Sequence, residues 1–176
     1  YWTQPVGWLL AVALIVGVAA SAVSLGGRIG RRRRVTGRVV AVRCLGDDKS
    51  ISEISCQLDE RWPTHAPGQF AFVRFAGREG AHPFTIASAD RGDSTITFLI
   101  KGLGRYTRGL ARRVEVGQAV TVEGPYGRFE LPRHAPFSRQ VWVAAGIGVT
   151  PFLAWLEALQ TRPDEVRTAD LHYCTR

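Results

Sequence analysis

No charged side chain occurs in the first 27 residues, no methionine occurs anywhere, and only three cysteines are spread over 176 residues. Cys44, Cys56 and Cys174 are odd in number and have no Cys-x-x-Cys spacing, which excludes a disulfide framework and a zinc or iron–sulfur site. A reducing compartment and no bound metal are expected. Without a methionine the sequence does not start at an initiator. It also stops at Arg176, where an apolar run has barely given way to polar residues, so both ends are expected to be cut. Internal repeats are absent, and so is any low-complexity linker apart from one basic run. The length exceeds one average domain but is short for two domains plus a membrane span.

Acidic residues are outnumbered, and the formal charge is +8. Arg28 and Arg31 to Arg34 contribute +5 of that, leaving +3 (18 basic minus 15 acidic) for everything from Val35 onward. A nucleic-acid surface needs a basic stripe along one element, and here the later arginines are interspersed with acidic residues. Nucleic acid is therefore excluded as a partner.

The uncharged start is what an apolar span requires. Val6 to Leu25 has only Ser21 and Ser24 as polar side chains, and at ~1.5 Å per residue a helix of that length covers the ~30 Å hydrocarbon core. Residues 1–27 are expected to form a transmembrane helix and residues 28–34 a basic juxtamembrane segment. A secretory signal would carry its positive charge before the apolar run, not after it. The positive-inside rule places residues 28–176 in the cytoplasm, with Tyr1, Trp2 and Trp8 at the opposite interface. Ala13, Gly17 and Ser21 form a small-residue strip suited to a neighbouring transmembrane helix. The span holds no histidine and no charge, so it offers no haem ligand and no proton relay.

From Val35 the pattern changes to short segments rich in Val, Ile, Phe and Thr between turn residues. Strands are predicted at Thr36–Cys44, Ile51–Leu58, Gln69–Phe75, Phe84–Ser88, Ser94–Lys101 and Ala119–Glu123, and six such strands suggest a small antiparallel β-barrel over residues 35–135. Lys101-Gly102-Leu103-Gly104-Arg105-Tyr106-Thr107 ends the fifth strand with two glycines. A short helix starting near Arg105 would then turn free N–H groups toward an anion. His65 and His134 stand in polar, Pro-bounded stretches and read as solvated loop residues. His172 falls in a candidate strand without a metal-spaced partner.

Residues 136–176 read as the start of an α/β domain with a parallel sheet. Arg139–Ala145 is a buried strand running into Gly146-Ile147-Gly148-Val149-Thr150-Pro151, followed by a helix over Phe152–Leu159. Thr150 can cap that helix and Pro151 suits its first turn, leaving the helix N-terminus open to a diphosphate. Pro151 occupies the third glycine position, so this is not the usual G-x-G-x-x-G fingerprint. Leu171–Cys174 is expected to be the second strand of the same sheet.

His82-Pro83-Phe84-Thr85-Ile86-Ala87-Ser88, then Gly124-Pro125-Tyr126-Gly127, then Gly146 to Pro151, resemble in order and spacing the ferredoxin–NADP reductase superfamily. The likeness is to its ferric reductase and NADPH oxidase branch, where HPFT replaces the Arg-x-Tyr-Ser pattern of soluble reductases. The resemblance implies an FAD site with Phe84 on the flavin ring and Thr85 near flavin N5 and O4. His82 stands where the soluble reductases carry Arg, and Pro83 and Ser88 belong to the same segment. Neutral His82 cannot replace a bidentate arginine, so the diphosphate is assigned mainly to Lys101, Gly104, Tyr106 and Thr107. The segment Pro67-Gly68-Gln69-Phe70 is similar to one that precedes the strand beside the flavin. Gly146, Gly148, Thr150 and Pro151 would approach the NADPH or NADH diphosphate, with Thr175 and Arg176 candidates for the 2′-phosphate.

The implied function is a membrane flavoprotein passing electrons from NAD(P)H through FAD to haems on upstream helices. Two other readings stay open. One is a membrane-anchored reductase serving an iron–sulfur protein or quinone, and the other is a tethered barrel that binds a partner without catalysis. The terminal acceptor, the choice between NADH and NADPH, and the oligomeric state are not legible.

Overall fold

A computed structural model describes residues 5–25, 30–46, 48, 50–59, 61–75, 80–130, 139–161 and 168–175. The chain divides into two compact units, 1–33 and 34–176. In the first, α1 (Pro5–Leu25) is an apolar helix, of which Pro5–Val23 is long and apolar enough to cross a membrane, with a mean hydropathy of 2.4. Its large apolar side chains are exposed, as a lipid-facing helix requires. The Ser21 hydroxyl donates to the Gly17 carbonyl at 2.8 Å, so its only polar atom on this turn is satisfied within the helix.

The second unit begins with strands β1 (Arg34–Leu45), β2 (Ile51–Leu58), β3 (Phe70–Phe75), β4 (His82–Thr85), β5 (Thr95–Lys101) and β6 (Ala119–Tyr126). Alternation explains them: in β5, Ile96, Phe98 and Ile100 point inward between half-buried threonines and leucine, and β2 buries Ser52, Ile54, Cys56 and Leu58 in the same rhythm. The six strands form one antiparallel sheet in the order β4-β3-β6-β1-β2-β5. Its core is centred on Val39, Ile54, Val73, Ile96, Phe98 and Val122, all almost fully buried. The four-residue helix α2 (Leu110–Arg113) adds Leu110 to this core and is tied to β2 by the Ala111 N–H donating to Ser52 Oγ at 3.1 Å.

The expected barrel is corrected to an open, curled sheet. Between the edge strands β4 and β5 the described residues form no continuous ladder, just an isolated Ile86–Phe98 bridge past the end of β4 and an Ala87 N–H to Thr97 carbonyl bond of 2.7 Å. Before Ile86 the ladder does not continue, and the two edges diverge. The fourth strand accordingly covers His82–Thr85 rather than Phe84–Ser88.

Beyond this sheet, β7 (Arg139–Ala145) pairs in parallel with β8 (Thr168–Cys174), and α3 (Thr150–Thr161) crosses between them. Trp142 and Ala144 are buried under Phe152 and Trp155 of α3. The expected boundary at residues 135 and 136 lies outside the described residues, as do His134 and residues 28 and 29 of the basic segment. Burial pushes the Cys56 thiol up to about 12, which makes it an inert core side chain, while Cys44 and Cys174 are exposed and free.

A pocket between diverging edge strands

The gap left by the unclosed sheet is a cleft of about 220 Å³. Pro83, Phe84 and Thr85 of β4 form one wall, Leu99 to Lys101 of β5 the other, and Leu103 and Thr107 continue the second wall past the strand end. Ile147 and Thr150 close it from the α3 side. Three separate segments of the chain therefore meet in one place. Along the gap the facing backbone rows of two edge strands lack a ladder partner, so their polar groups are available to a ligand.

Thr85 pairs with Phe70 in the β3–β4 ladder and is half-buried. Its hydroxyl makes no hydrogen bond among the described residues. Phe84 sits on the core face beside Phe98, with centroids 6.4 Å apart. Tyr106 lies parallel to Phe84 at 6.4 Å and stacks on the His82 ring at 3.8 Å, so HPFT and the 101–107 loop are joined by ring contacts. The Arg113 guanidinium lies 5.8 Å from the Tyr106 ring and donates to its carbonyl.

The 101–107 loop differs from expectation. No helix starts at Arg105; α2 begins at Leu110 after left-handed Gly109. The N–H groups of Leu103 and Gly104 are not aimed outward but donate to Thr107 Oγ1, each at 3.1 Å. Thr107 thus shapes the loop through its side chain. A Cβ added at Gly104 would meet nothing within 4 Å, and the same holds at Gly148. Neither glycine is demanded by a positive φ or by packing of the chain, which fits an outside group approaching the backbone at both places.

At the other end, Gly146 takes a left-handed φ of 51° and opens a 3-10 turn (Gly146–Val149) that leads directly into α3. Thr150 is therefore not the cap: it is already helical, and its hydroxyl donates to the Ile147 carbonyl at 2.6 Å. Pro151 does occupy the first turn, and Arg176 lies outside the described residues. Ser88 is not in the cleft. It is buried, and its Oγ accepts from the Thr97 N–H at 3.1 Å.

His65 is buried, not solvated. The Trp62 indole N–H donates to its Nδ1 at 3.4 Å, so Nε2 carries the proton and donates to the Ser88 carbonyl at 3.1 Å. Burial lowers its pKa below the ordinary 6.5, outweighing the opposing pull of the Ser88 bond and of Asp90 and Glu157. Folded protein then binds fewer protons than unfolded protein, so this contribution is complete above about pH 6.5 and is lost as pH falls toward the lowered value. His65→Gln should flatten the fall in melting temperature between about pH 7 and 5. Parallel curves for the two proteins would contradict this role.

Sequence reasoning gave no separate role to Ile147, hidden between two glycines, and quoted Gln69 only as part of the segment before β3. The Gln69 side chain accepts from the Ala66 N–H and donates to the Gly127 carbonyl and Glu130, linking the turn before β3 to the end of β6. Among the described residues no His, Cys, Asp and Glu cluster could hold a metal.

Human NADPH oxidase 3 is 31% identical over 153 residues, covering 80% of this chain and 26% of that protein. The 2-halobenzoate 1,2-dioxygenase electron transfer component of Burkholderia cepacia is 31% identical over 93 residues, 52% of this chain and 26% of its own length. The chain thus spans about a quarter of either relative. A ferredoxin NADP+ reductase from Neisseria gonorrhoeae, solved with FAD and NADP, shares the fold with a TM-score of 0.67 over 80% of this chain and 57% of that one, at 18% identity. Residues 35–130, more than half the chain, match the FAD-binding domain family, and the chain belongs to that family.

Proposed function

We propose that the intact protein holds FAD in the cleft between β4 and β5, receives electrons from NADH or NADPH, and passes them singly across a membrane. The observation that carries this reading is the convergence of Thr85, Thr107 and Thr150 on one cleft formed where the sheet fails to close. When bound, FAD takes two electrons together from a reduced nicotinamide and releases them one at a time; the chain supplies orientation and electrostatics.

Phe84 supplies the apolar wall for the flavin ring. Thr85, whose hydroxyl is uncommitted, donates a hydrogen bond to the flavin at N5 or O4. His82 is held in place by its stack on Tyr106. Lys101, with Gly104, Tyr106 and Thr107, takes the diphosphate end. Gly146, Gly148, Thr150 and Pro151 receive the nicotinamide nucleotide at the α3 N-terminus, where the helix dipole favours an anion. Arg176, with Thr175, is assigned to a 2′-phosphate. In this reading α1 spans the membrane beside other helices, residues 28–176 are cytoplasmic, and upstream helices carry haem.

A second reading replaces the haems by a separate iron–sulfur protein or quinone as acceptor. It is favoured by the relative named as the electron transfer component of a dioxygenase. Both readings need the same flavin site.

Thr85→Ala removes one hydrogen bond to the flavin and leaves the apolar wall and the 101–107 loop intact. Flavin reduction by NADPH is expected to slow about tenfold, equivalent to ~1.4 kcal/mol, with FAD still bound. A reduction rate equal to that of the unaltered protein in anaerobic stopped flow would remove Thr85 from this role.

A further inference from the structure

Helix α3 is held against the six-stranded sheet at two points, through Trp155 and Glu157. At the first, the Trp155 indole N–H donates to the Pro67 carbonyl at 2.9 Å, and its ring stacks on Phe129 with centroids 4.9 Å apart. At the second, Glu157 Oε2 accepts from the Ala89 N–H at 3.0 Å and Oε1 accepts from Arg91 Nε at 2.6 Å. The two contacts reach two separate chain segments, so together they oppose displacement of α3 on the sheet.

The anchor points matter as much as the grip. Pro67 leads through Gly68 and Gln69 into β3, and Ala89 follows β4 by way of Ile86 to Ser88. These two chain segments are themselves joined by the Ile86 N–H donating to the Gln69 carbonyl at 2.9 Å, next to the Phe70–Thr85 pair. Both grips therefore lie on segments flanking β3 and β4, where Phe70 pairs with Thr85. The first residue of α3, Thr150, and Ile147 of the preceding turn form the facing wall of the cleft.

We propose that Trp155 and Glu157 form a two-point clamp that sets the separation between the 146–150 turn and Thr85, and that Glu157 is a positioning residue for electron input. This rests on the reading of the cleft as the meeting place of flavin and nicotinamide. Glu157 does not line the cleft; it acts through α3. Its side chain is 29% exposed and Arg91 50% exposed, so the contact is accessible to substitution without opening the core.

The test compares Glu157→Ala, Glu157→Gln and Arg91→Ala in the intact protein, by amide exchange read by mass spectrometry and by stopped-flow reduction with NADPH. In E157A, exchange across 146–157 should quicken about tenfold and flavin reduction at saturating NADPH should slow about tenfold, with FAD content unchanged. E157Q keeps an oxygen for the Ala89 N–H and should recover most of the rate, while R91A, which loses only the outer contact, should fall between. Unaltered exchange and reduction in E157A would overturn the clamp. So would equal losses in the Gln and Ala variants, or a slowing explained entirely by lost FAD. If the unaltered protein holds no FAD, the reading of the cleft fails, while the exchange experiment still decides whether the clamp exists.

Discussion

Gly68→Ala is expected to lower the melting temperature of the intact protein by about 10 °C, the counterpart of ~3–4 kcal/mol in a domain of this size. Gly68 has a φ of 98°, a left-handed conformation that any side chain strains. Space is the second cost: an added Cβ would fall on the Phe129 carbonyl and 2.7 Å from Trp155 Nε1. Those atoms belong to the Pro67–Trp155–Phe129 contact that seats α3 on the sheet. The turn cannot retreat easily, because Gln69 ties it to Gly127 and Glu130 on one side and to Ile86 on the other. Thermal unfolding followed by circular dichroism measures the shift. A shift smaller than about 2 °C would mean that the turn relaxes freely and that the seat is loose.

Thr107→Val should have the opposite signature, with stability nearly unchanged and FAD binding weakened about 10- to 100-fold, or ~1.4–2.7 kcal/mol. Valine keeps the volume of threonine but cannot accept the Leu103 and Gly104 N–H groups or donate to the Gly104 carbonyl. These bonds are solvent-exposed, so water replaces them at a cost of about 1 kcal/mol or less. The loop loses the shape that places Leu103 and Thr107 in the cleft wall. Fluorescence titration with FAD measures the effect, and a dissociation constant equal to that of the unaltered protein would show that the loop does not contribute to the site.

Local pattern carried much of the fold. β2 and β7 have the expected bounds because a run of alternating or continuous apolar residues ends at turn residues on both sides. The parallel β7–α3–β8 order was legible for the same reason. Closure of the sheet was not, because it depends on whether β4 and β5, close in sequence but joined to different neighbours, keep a common ladder, and that ladder ends after one bridge. His65 was misplaced because its neighbours are polar. The groups that bury it, Trp62 and the Ser88 carbonyl, are set by a long-range fold. At the site, the motif residues were legible as types and in order, but not their local hydrogen bonds. Gly104 looked like the opening of a helix, yet the Thr107 hydroxyl captures its N–H, and Thr150 looked like a cap, yet a 3-10 turn inserted before it makes it helical.

The central claim is that the gap between β4 and β5 is an FAD site. Its most direct test is the visible absorption spectrum of the intact protein, purified in detergent, mixed with FAD and passed through a desalting column. Equimolar flavin should remain with the protein and show the yellow flavin bands, perturbed from those of the free cofactor by the apolar wall at Phe84. A folded but colourless protein would contradict the account.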